Sequence, residues 1–486
     1  MLKKEDSYQY LPQLYKSVPK DMYGYRVSPY SVILEGWRRG LELKFYKRLE
    51  KPKGKYVFPI FEFSDGNRTH KFTSTRGDLV TKEAIKICIN KHTTKEILQK
   101  NGVPTPEGKA FNKESTDEEI IEYAKKIGFP AVLKPTNGAG GKGVISNIKS
   151  NEDFIKALKY VKYELGYKDI IVEQYFNGED IRVYVVGEKV IGAIKRVSPT
   201  VVGNGIDNIM ALIAEKNNQR NKIPALYNNP IKIDQEVHEL LAQQGYDVKS
   251  IPKYGETVII KEKSNISSGG DPYDVTDLLT PEMKETAIRA TQVVPGLVQS
   301  GVDLLVDFKN NNSAVIELNS RPSIRTHLYP INGRARDIPK AIIDYYFPDS
   351  KQLNYKESKP LYYFDMKRIM DTLSNSYIEE VKVENYPIEN QGVFRFILKN
   401  APKKEKFIKW IQKQATSLKL NGYLKFFKDN KSVIVIAGDR DAIVRYKKRL
   451  YNKVNKSYND VKIIQKDRKS PVNLGFKIIS ANQKDE

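Results

Sequence analysis

From Phe129 to Ile148 the chain runs apolar, then glycine-rich, then apolar again: FPAVLKPTNGAGGKGVISNI. The pattern predicts a strand over Ala131 to Lys134, a loop, and a second strand opening at Val144 and Ile145, because the residues after the glycines are β-branched. The next helix begins at SNEDFIKAL, where Ser150 and Asp153 have capping-box spacing. Before this unit, SVILEGWRRGLEL carries a helical apolar stripe ending near Gly40. KYVFPIFEFSDGNRTHKFT reads as two strands around a turn at Ser64 to Asn67. LVTKEAIKICINKHTTKEILQKNGVPTPEG keeps helical periodicity up to Gly102, and Pro104 and Pro106 stop it. After the unit, IIVEQYFNGEDIRVYVVGEKVIGAIKRV gives a buried strand, a polar hinge, a turn at Asn177–Gly178 and two further strands. GVDLLVDFKNNNSAVIELNS gives an antiparallel hairpin turning at Lys309 to Ser313. Beyond Tyr355, strands are expected at VKVENYP, GVFRFILK, YLKFFKD, KSVIVIAGD and VKIIQ, with helices at KKEKFIKWIQKQATSL and RDAIVRYKKRLYNKV; the β-α-β-β-α-β order suggests a ferredoxin-like sandwich.

These elements mix α/β and α+β character and divide into an N-terminal α/β part over residues 1–90, a central domain over 91–350 with the glycine-loop unit at about 125–175, and a C-terminal module over 355–486. The length of 486 residues, 40% apolar content and 10% aromatics suit a folded multi-domain protein. No run of about 18 apolar residues occurs, so no membrane span is expected. The opening MLKKEDSYQYLPQ has no apolar h-region, so no secretory signal is expected. Cys88 is the single cysteine, which fits a reducing cytoplasm, and four histidines make a zinc site a poor expectation. The net charge of +23 admits a lysine-rich surface, an anionic nucleotide substrate or nucleic acid. No RNP, zinc-finger or helix-turn-helix signature accompanies it, and nucleic acid is not expected as a partner.

Chemistry concentrates at two places. The glycine loop exposes backbone N–H groups that can close around phosphate oxygens, and Lys134 and Lys142 at its ends can neutralise phosphate charge. Gly138 to Gly143 satisfies G-x-G-x-x-G, but no helix opens on it, as a dinucleotide fingerprint requires. Gly143 stands where a P-loop needs Ser or Thr. The result is strand, glycine loop, strand: a flap over phosphates. The second place is the hairpin. Glu317 and Asn319, two apart on a strand, project from one face, and either Asp303 or Asp307 comes alongside. Two carboxylates and an amide oxygen suit Mg²⁺. Arg321 and Arg325 follow as candidates for a γ-phosphate or a substrate carboxylate. The hinge Glu173 to Phe176 can hold an adenine through its backbone, with Glu179 or Asp180 for ribose hydroxyls. Ser267-Ser268-Gly269-Gly270 offers N–H and hydroxyl groups to a carboxylate. Arg68, His70 and Arg76 are weaker candidates for an anionic substrate.

The motifs KPTNGAGGKGV, VEQYFNGEDIRVYVV, KEKSNISSGGDPYDVTD and GVDLLVDF…AVIELNSRPSIRTHLYP, in this order, resemble those of the ATP-grasp carboxylate–amine ligases, in the branch of cyanophycin synthetase and bifunctional glutathione synthetase. The resemblance covers about residues 91–347 and implies an ATP-grasp fold with ATP and Mg²⁺ (or Mn²⁺) as cofactors. It implies that Lys91 and Lys134 hold ATP phosphates, that Asn137, Gly138, Gly140, Gly141, Lys142 and Gly143 cover them, that Glu173, Gln174, Tyr175 and Phe176 form the adenine hinge, and that Asp180 meets the ribose. Asp307, Glu317 and Asn319 would bind the metal, with Asp303 the rival of Asp307. Lys261 falls where a basic residue stabilises the acyl phosphate, although an Arg is usual there; Arg182 and Arg321 are grouped with it as catalytic cations. Ser267 to Gly270 and Arg325 would hold substrate. The C-terminal module resembles an acylphosphatase fold, with Arg395 at the phosphate-binding Arg but Phe426 in place of a catalytic Asn, so a non-catalytic role is expected.

The resemblance implies activation of a carboxylate by γ-phosphoryl transfer and displacement of phosphate by an amine. The chain shows no Mur-ligase-like second ATPase unit and no large γ-glutamylcysteine-forming half. The expectation is therefore a cytoplasmic enzyme resembling standalone L-amino-acid ligases, joining amino acids into short peptides; an assembly of identical chains is compatible with it. The alternatives are a ligase adding amino acids to a peptide or protein acceptor, and a non-catalytic nucleotide- or RNA-binding scaffold.

Overall fold

The computed structural model describes residues 10–50, 55–136, 143–354, 361–375, 377–387, 390–401, 404–427, 431–458, 460–468 and 470–479. Contacts divide the chain into two units, one built on Thr75–Tyr345 and the other on Tyr10–Ser74 together with Tyr346–Glu486. This differs from breaks at 90 and 355: the N-terminal strands cluster with the C-terminal stretch, while Thr75 to Asn90 belongs with the central unit. Among the described residues, no helix is long and apolar enough to cross a membrane.

The Thr75–Tyr345 unit holds two larger antiparallel sheets. The first has the strand order Gly108–Phe111, Ile170–Gln174, Ala131–Pro135, Ile145–Ile148. Helices Asp117–Ile127 and Asn151–Lys159 belong to the same core, in which Phe111, Ile120, Leu133, Phe154, Leu158 and Val172 are buried. Both helices start on side-chain caps: Thr116 accepts from Glu119 N in a reciprocal capping box, and Ser150 accepts from Asp153 N at 3.1 Å. Two paired strands thus flank the glycine-rich segment as the pattern predicts.

The second sheet has the order Asp271–Asp274, Lys189–Val197, Glu179–Val186, Gln299–Asp307, Asn312–Asn319. Strict alternation sets its two faces. Ile181, Val183 and Val185, each fully buried, join Val302, Leu304 and Leu318 in an apolar core with helices Lys82–Ile89 and Pro281–Gln292. Asp180, Arg182 and Tyr184 therefore take the opposite face. The single helical run expected up to Gly102 is two helices, Lys82–Ile89 and Lys91–Lys100. Asn90 is extended (φ −95°, ψ 105°) and its side chain caps the second helix by accepting from His92 N and Thr93 N. A smaller pair of strands, Thr200–Val202 and Thr257–Ile259, packs with helices Ile209–Arg220 and Gln235–Gln243 over Val201, Ile213, Leu241 and Val258.

In the other unit the helix Val27–Arg38 is buried along its length. Its Trp37 Nε1 donates to Glu384 O at 2.8 Å, and Arg38 donates to Tyr362 O and Gln13 O. Strands Glu42–Tyr46, Ile60–Ser64 and Thr69–Thr73 pair in turn, and Glu380–Val383 pairs with Glu42–Tyr46. VKVENYP is thus a strand of the N-terminal sheet. The C-terminal strands Gln391–Lys399, Asn421–Phe426, Lys431–Asp439 and Lys462–Asp467 alternate with helices Glu405–Ser417 and Arg440–Ser457. Their spatial order, fourth-first-third-second, is that of a ferredoxin-like sandwich, with Phe476–Ile479 added beside the second strand.

Candidate active site

The two larger sheets of the Thr75–Tyr345 unit meet at a cleft lined among others by Lys91, Thr94, Lys95, Lys134, Glu173 and Glu317. Lys134 is the last residue but one of the strand that leads to the glycine-rich segment, and Glu173 lies on the neighbouring strand. Glu173 accepts from Lys134 Nζ and Lys95 Nζ, each at 2.6 Å. Lys91 Nζ lies 3.8 Å from Glu317 on the second sheet. Burial of Glu173 pushes its pKa up, but the two ammonium groups outweigh it and hold the carboxylate below its usual range. Burial lowers the pKa of Lys95, against the attraction of Glu173. Three cations thus converge with two carboxylates, which leaves net positive charge for an anionic ligand.

Lys95 is a cleft residue that the resemblance did not name. Four residues apart, both share one helix face, and packing separates them: Lys95 is 9% exposed and reaches Glu173, while Lys91 reaches Glu317. Glu173 is a strand residue whose side chain anchors the two lysines, so only its backbone is at the hinge. There Gln174 N donates to Glu107 O at 2.8 Å and Tyr175 N to Pro130 O at 3.0 Å. Among the described residues, the Phe176 N–H has no acceptor, so it is the hinge donor that remains. Of the loop residues, Asn137, Gly138, Gly140, Gly141 and Lys142 lie outside the described residues. Gly143 has φ 74°, and a Cβ there would come 3.0 Å from the Tyr167 ring.

The hairpin register decides between the two aspartates. Asp303 faces Glu317 and Gly301 faces Asn319, whereas Asp307 faces Asn312 beside the turn. Asp307 accepts from Lys309 N and Asn310 N at 3.0 and 3.1 Å and from Asn310 Nδ2 at 2.6 Å, so it caps the turn. The expectation of Asp307 beside Glu317 is therefore corrected to Asp303. Asp303, 4% exposed, accepts from Arg182 Nε and Nη2, both at 2.6 Å. Arg196 bridges Asp180, at 2.6 and 2.7 Å, to Asp303, at 3.8 Å. Burial raises the pKa of Asp180 even against Arg196. Among the described residues, the Asn319 Nδ2 is buried without a hydrogen-bond partner.

Known proteins can be set against this geometry. Residues 88–203 match the RimK-like ATP-grasp domain family. The glutathione biosynthesis bifunctional protein GshAB of Clostridium perfringens is 32% identical over 351 residues, which are 68% of this chain and 43% of that protein. Cyanophycin synthetase of Trichormus variabilis is 31% identical over 299 residues, 60% of this chain and 33% of that protein. The crystal structure of a bifunctional glutathione synthetase from Pasteurella multocida superposes with a TM-score of 0.53 at 25% identity, covering 68% of this chain and 44% of that one. This chain carries an ATP-grasp domain. It spans less than half the length of these relatives.

Within the ATP-grasp domain other expected residues lie apart from the cleft lining. Lys261 is 4% exposed and held in an ion pair by Asp234, the N-cap of helix Gln235–Gln243, with Glu236 at 3.8 Å. The Ser267 to Gly270 loop spends most of its donors internally: Ser268 N and Gly270 N donate to Asn265 O, and Gly269 N to Ile266 O. It is braced by Arg220, 2% exposed, which donates to Gly270 O and pairs with Asp271. The expectation of an open N–H cradle is thus corrected to a closed turn, with the Ser267 N–H and the serine hydroxyls outside that bonding. Arg321 is exposed; Arg325 is 3% exposed and close enough to Arg220 for their charges to interact. Arg68 pairs with Asp349 at 2.8 Å and His70 packs on Tyr346 and Phe347, both within the other unit.

His327 was not expected at all. It is fully buried in the segment following the hairpin, 6.0 Å from the Tyr184 ring. Burial, then the charge of Arg182, lower its pKa to about 3, so it stays neutral. A Cβ on Gly192 would come 2.9 Å from its Nδ1, so this glycine makes room for the ring.

Proposed function

We propose that the chain is an ATP- and Mg²⁺-dependent ligase that forms an amide bond between a carboxylate and an amine. The observation that carries this is the meeting, in one cleft, of Lys134 and Glu173 from the glycine-loop sheet, Lys91 and Lys95 from one helix and Glu317 from the hairpin, with Asp303 opposite Glu317 in the hairpin register. The donor set fits a hard divalent cation: the facing carboxylates of Asp303 and Glu317 and, two residues along the strand, the Asn319 amide, whose oxygen would be the ligating atom. Asp303, Glu317 and Asn319 would hold Mg²⁺, with Mn²⁺ as a substitute; when bound, the ion neutralises phosphate charge and so favours phosphoryl transfer.

The chain's own residues supply the rest. Lys134 and Lys95, held in place by Glu173, bind phosphate oxygens, and the Phe176 N–H meets the adenine. The γ-phosphoryl group passes to a substrate carboxylate oxygen and ADP leaves. An amine then attacks the acyl carbon, phosphate departs, and the ammonium proton is lost. Arg182, already beside Asp303, stands where negative charge develops. We propose L-amino acids as substrates and di- or oligopeptides as products, in a reducing cytoplasm. The second reading is a ligase adding amino acids to a peptide or protein.

Phosphate release measured with MgATP across the free amino acids tests this. Release with free amino acids and a peptide product by mass spectrometry supports the first reading, and release only with a peptide or protein acceptor supports the second. Silence, with salt-sensitive RNA binding, overturns both.

We further propose that the C-terminal module is a non-catalytic, acylphosphatase-like partner of the ligase. Arg395 lies mid-strand with Val435 and Lys466 on either side, not in a loop, and Phe426 is a core residue. Cleavage of acetyl phosphate by the intact chain would overturn this.

A further inference from the structure

We propose that the two-helix layer of the ferredoxin-like sandwich is a binding surface for the phosphate backbone of RNA. The inference stands apart from the ligase reading and concerns a second kind of ligand. Nucleic acid is not expected from the whole-chain charge and the missing signature motifs; where that charge sits reverses the expectation.

Residues 391–479 hold 23 lysines and arginines against six acids, a net +17, while the other 397 residues hold +6. A lysine-rich composition spread evenly would give a stretch of this length about +4. Much of the excess meets on one layer. Helix Glu405–Ser417 buries Phe407, Ile411 and Ala415, and helix Arg440–Ser457 buries Ile443, Tyr446, Leu450 and Val454. The helical period then leaves Lys406, Lys409 and Lys413 on the outer side of the first helix and Arg445, Lys448 and Arg449 on that of the second, and all six are exposed. Arg449 Nη1 donates to Gln414 Oε1 at 2.8 Å, so the second row reaches across to the first helix. Acids do not answer these cations. Among the described residues, Lys409 pairs with Glu405 at 2.7 Å and none of the other five has an acidic partner. Within each row the cations stand three or four residues apart, where like charges repel. A bound polyanion relieves that repulsion and gives up its own counterions. Length and surface chemistry choose the polyanion. The second helix has 18 residues and so runs about 27 Å, which suits a row of charges rather than one small anion. Among the described residues, Val444 is the only large apolar side chain exposed on the two helices. A protein partner takes most of its affinity from buried aromatic and apolar anchors, which this layer lacks. A nucleic acid takes it from phosphates neutralised by lysine and arginine. Arg445 and Arg449 add planar forks that fit phosphate oxygens. In the cytoplasm proposed for this chain, that backbone is RNA's.

The test is fluorescence anisotropy of a labelled single-stranded RNA of about 20 nucleotides, titrated with the full-length chain between about 50 and 200 mM KCl. Wild-type protein is expected to bind with a log–log salt slope of about −4, from six cations at about −0.7 each. The variant Lys406→Gln/Lys413→Gln/Arg445→Gln/Lys448→Gln is expected to lose about 100- to 1,000-fold in affinity near 0.1 M salt and to flatten the slope by about 3. Lys406→Arg/Lys413→Arg/Lys448→Arg, which keeps the charge, is expected to bind as wild type. Phosphate release from MgATP with free amino acids, read on the same samples, is expected to stay within about twofold in both variants. RNA binding by the glutamine variant equal to wild type, or no binding by wild-type protein, overturns the inference and leaves the ligase reading intact. Displacement of the RNA by polyglutamate of equal length as readily as by unlabelled RNA also overturns it, by assigning the layer to acidic polypeptides.

Discussion

Two sheets in this protein each have one apolar face and one charged face, and the charged faces differ. In the ATP-grasp domain, alternation buries Ile181, Val183 and Val185 and lays out Asp180, Arg182, Arg196, Asp303 and Glu317 opposite them, with acids answering bases across strands. In the ferredoxin-like sandwich, Phe396, Leu398, Leu424, Ile434 and Ile436 form the core, and the other face sets Arg395 and Lys466 around Val433 and Val435. Charges of both signs held in register offer carboxylates to a metal ion and cations to a phosphate. A face of one sign, interrupted by buried valines, offers no such exchange. The difference separates the two sheets without appeal to fold.

Glu173→Ala gives the largest expected break. It leaves Lys95 and Lys134 buried without their shared carboxylate and should cost about 3 to 5 kcal/mol in urea unfolding. Next, Asp303→Asn is expected to lower phosphate release about 100- to 1,000-fold, which is about 3 to 4 kcal/mol, while Asp307→Asn stays within about threefold. Equal losses in the two would contradict the register argument. A smaller effect is expected with pH. The pKa of Glu173 is depressed below its ordinary 4.5, so the folded state binds fewer protons than the unfolded one in that window. Its contribution is complete above pH 4.5 and is lost as pH falls through the depressed value; Glu173→Gln should flatten the acid limb of the stability profile. The smallest effect is expected from Arg395→Ala: within twofold in activity and about 0.5 kcal/mol in stability, as for a surface change away from a site.

What the sequence reveals follows from what local pattern can encode. The strand, glycine loop and strand are legible because β-branched residues follow the glycines and Ser150 caps the next helix. The face shared by Glu317 and Asn319 is legible from a period of two. That same period hides the aspartate, since Asp303 and Asp307 lie four apart on one face; the bulge after Asp303 and the turn bonds of Asp307 settle it. Lys95 is hidden in the same way by Lys91, one helical turn earlier. VKVENYP shows a strand but not its partner, and Glu42–Tyr46 lies more than 330 residues away. The Ser267 to Gly270 loop looks open in sequence because nothing local announces that Arg220 and Asn265 close it. His327 has no signal beyond its place after the hairpin; what marks it is Gly192, whose missing side chain makes its space.

Titration of ATP with and without Mg²⁺ into wild-type, Lys134→Ala and Glu317→Gln proteins tests the central claim most directly. One MgATP bound by the wild-type chain, with affinity lost on altering either residue, is the result predicted by a single site shared between the glycine-loop sheet and the hairpin. Undiminished MgATP binding by Glu317→Gln would contradict it.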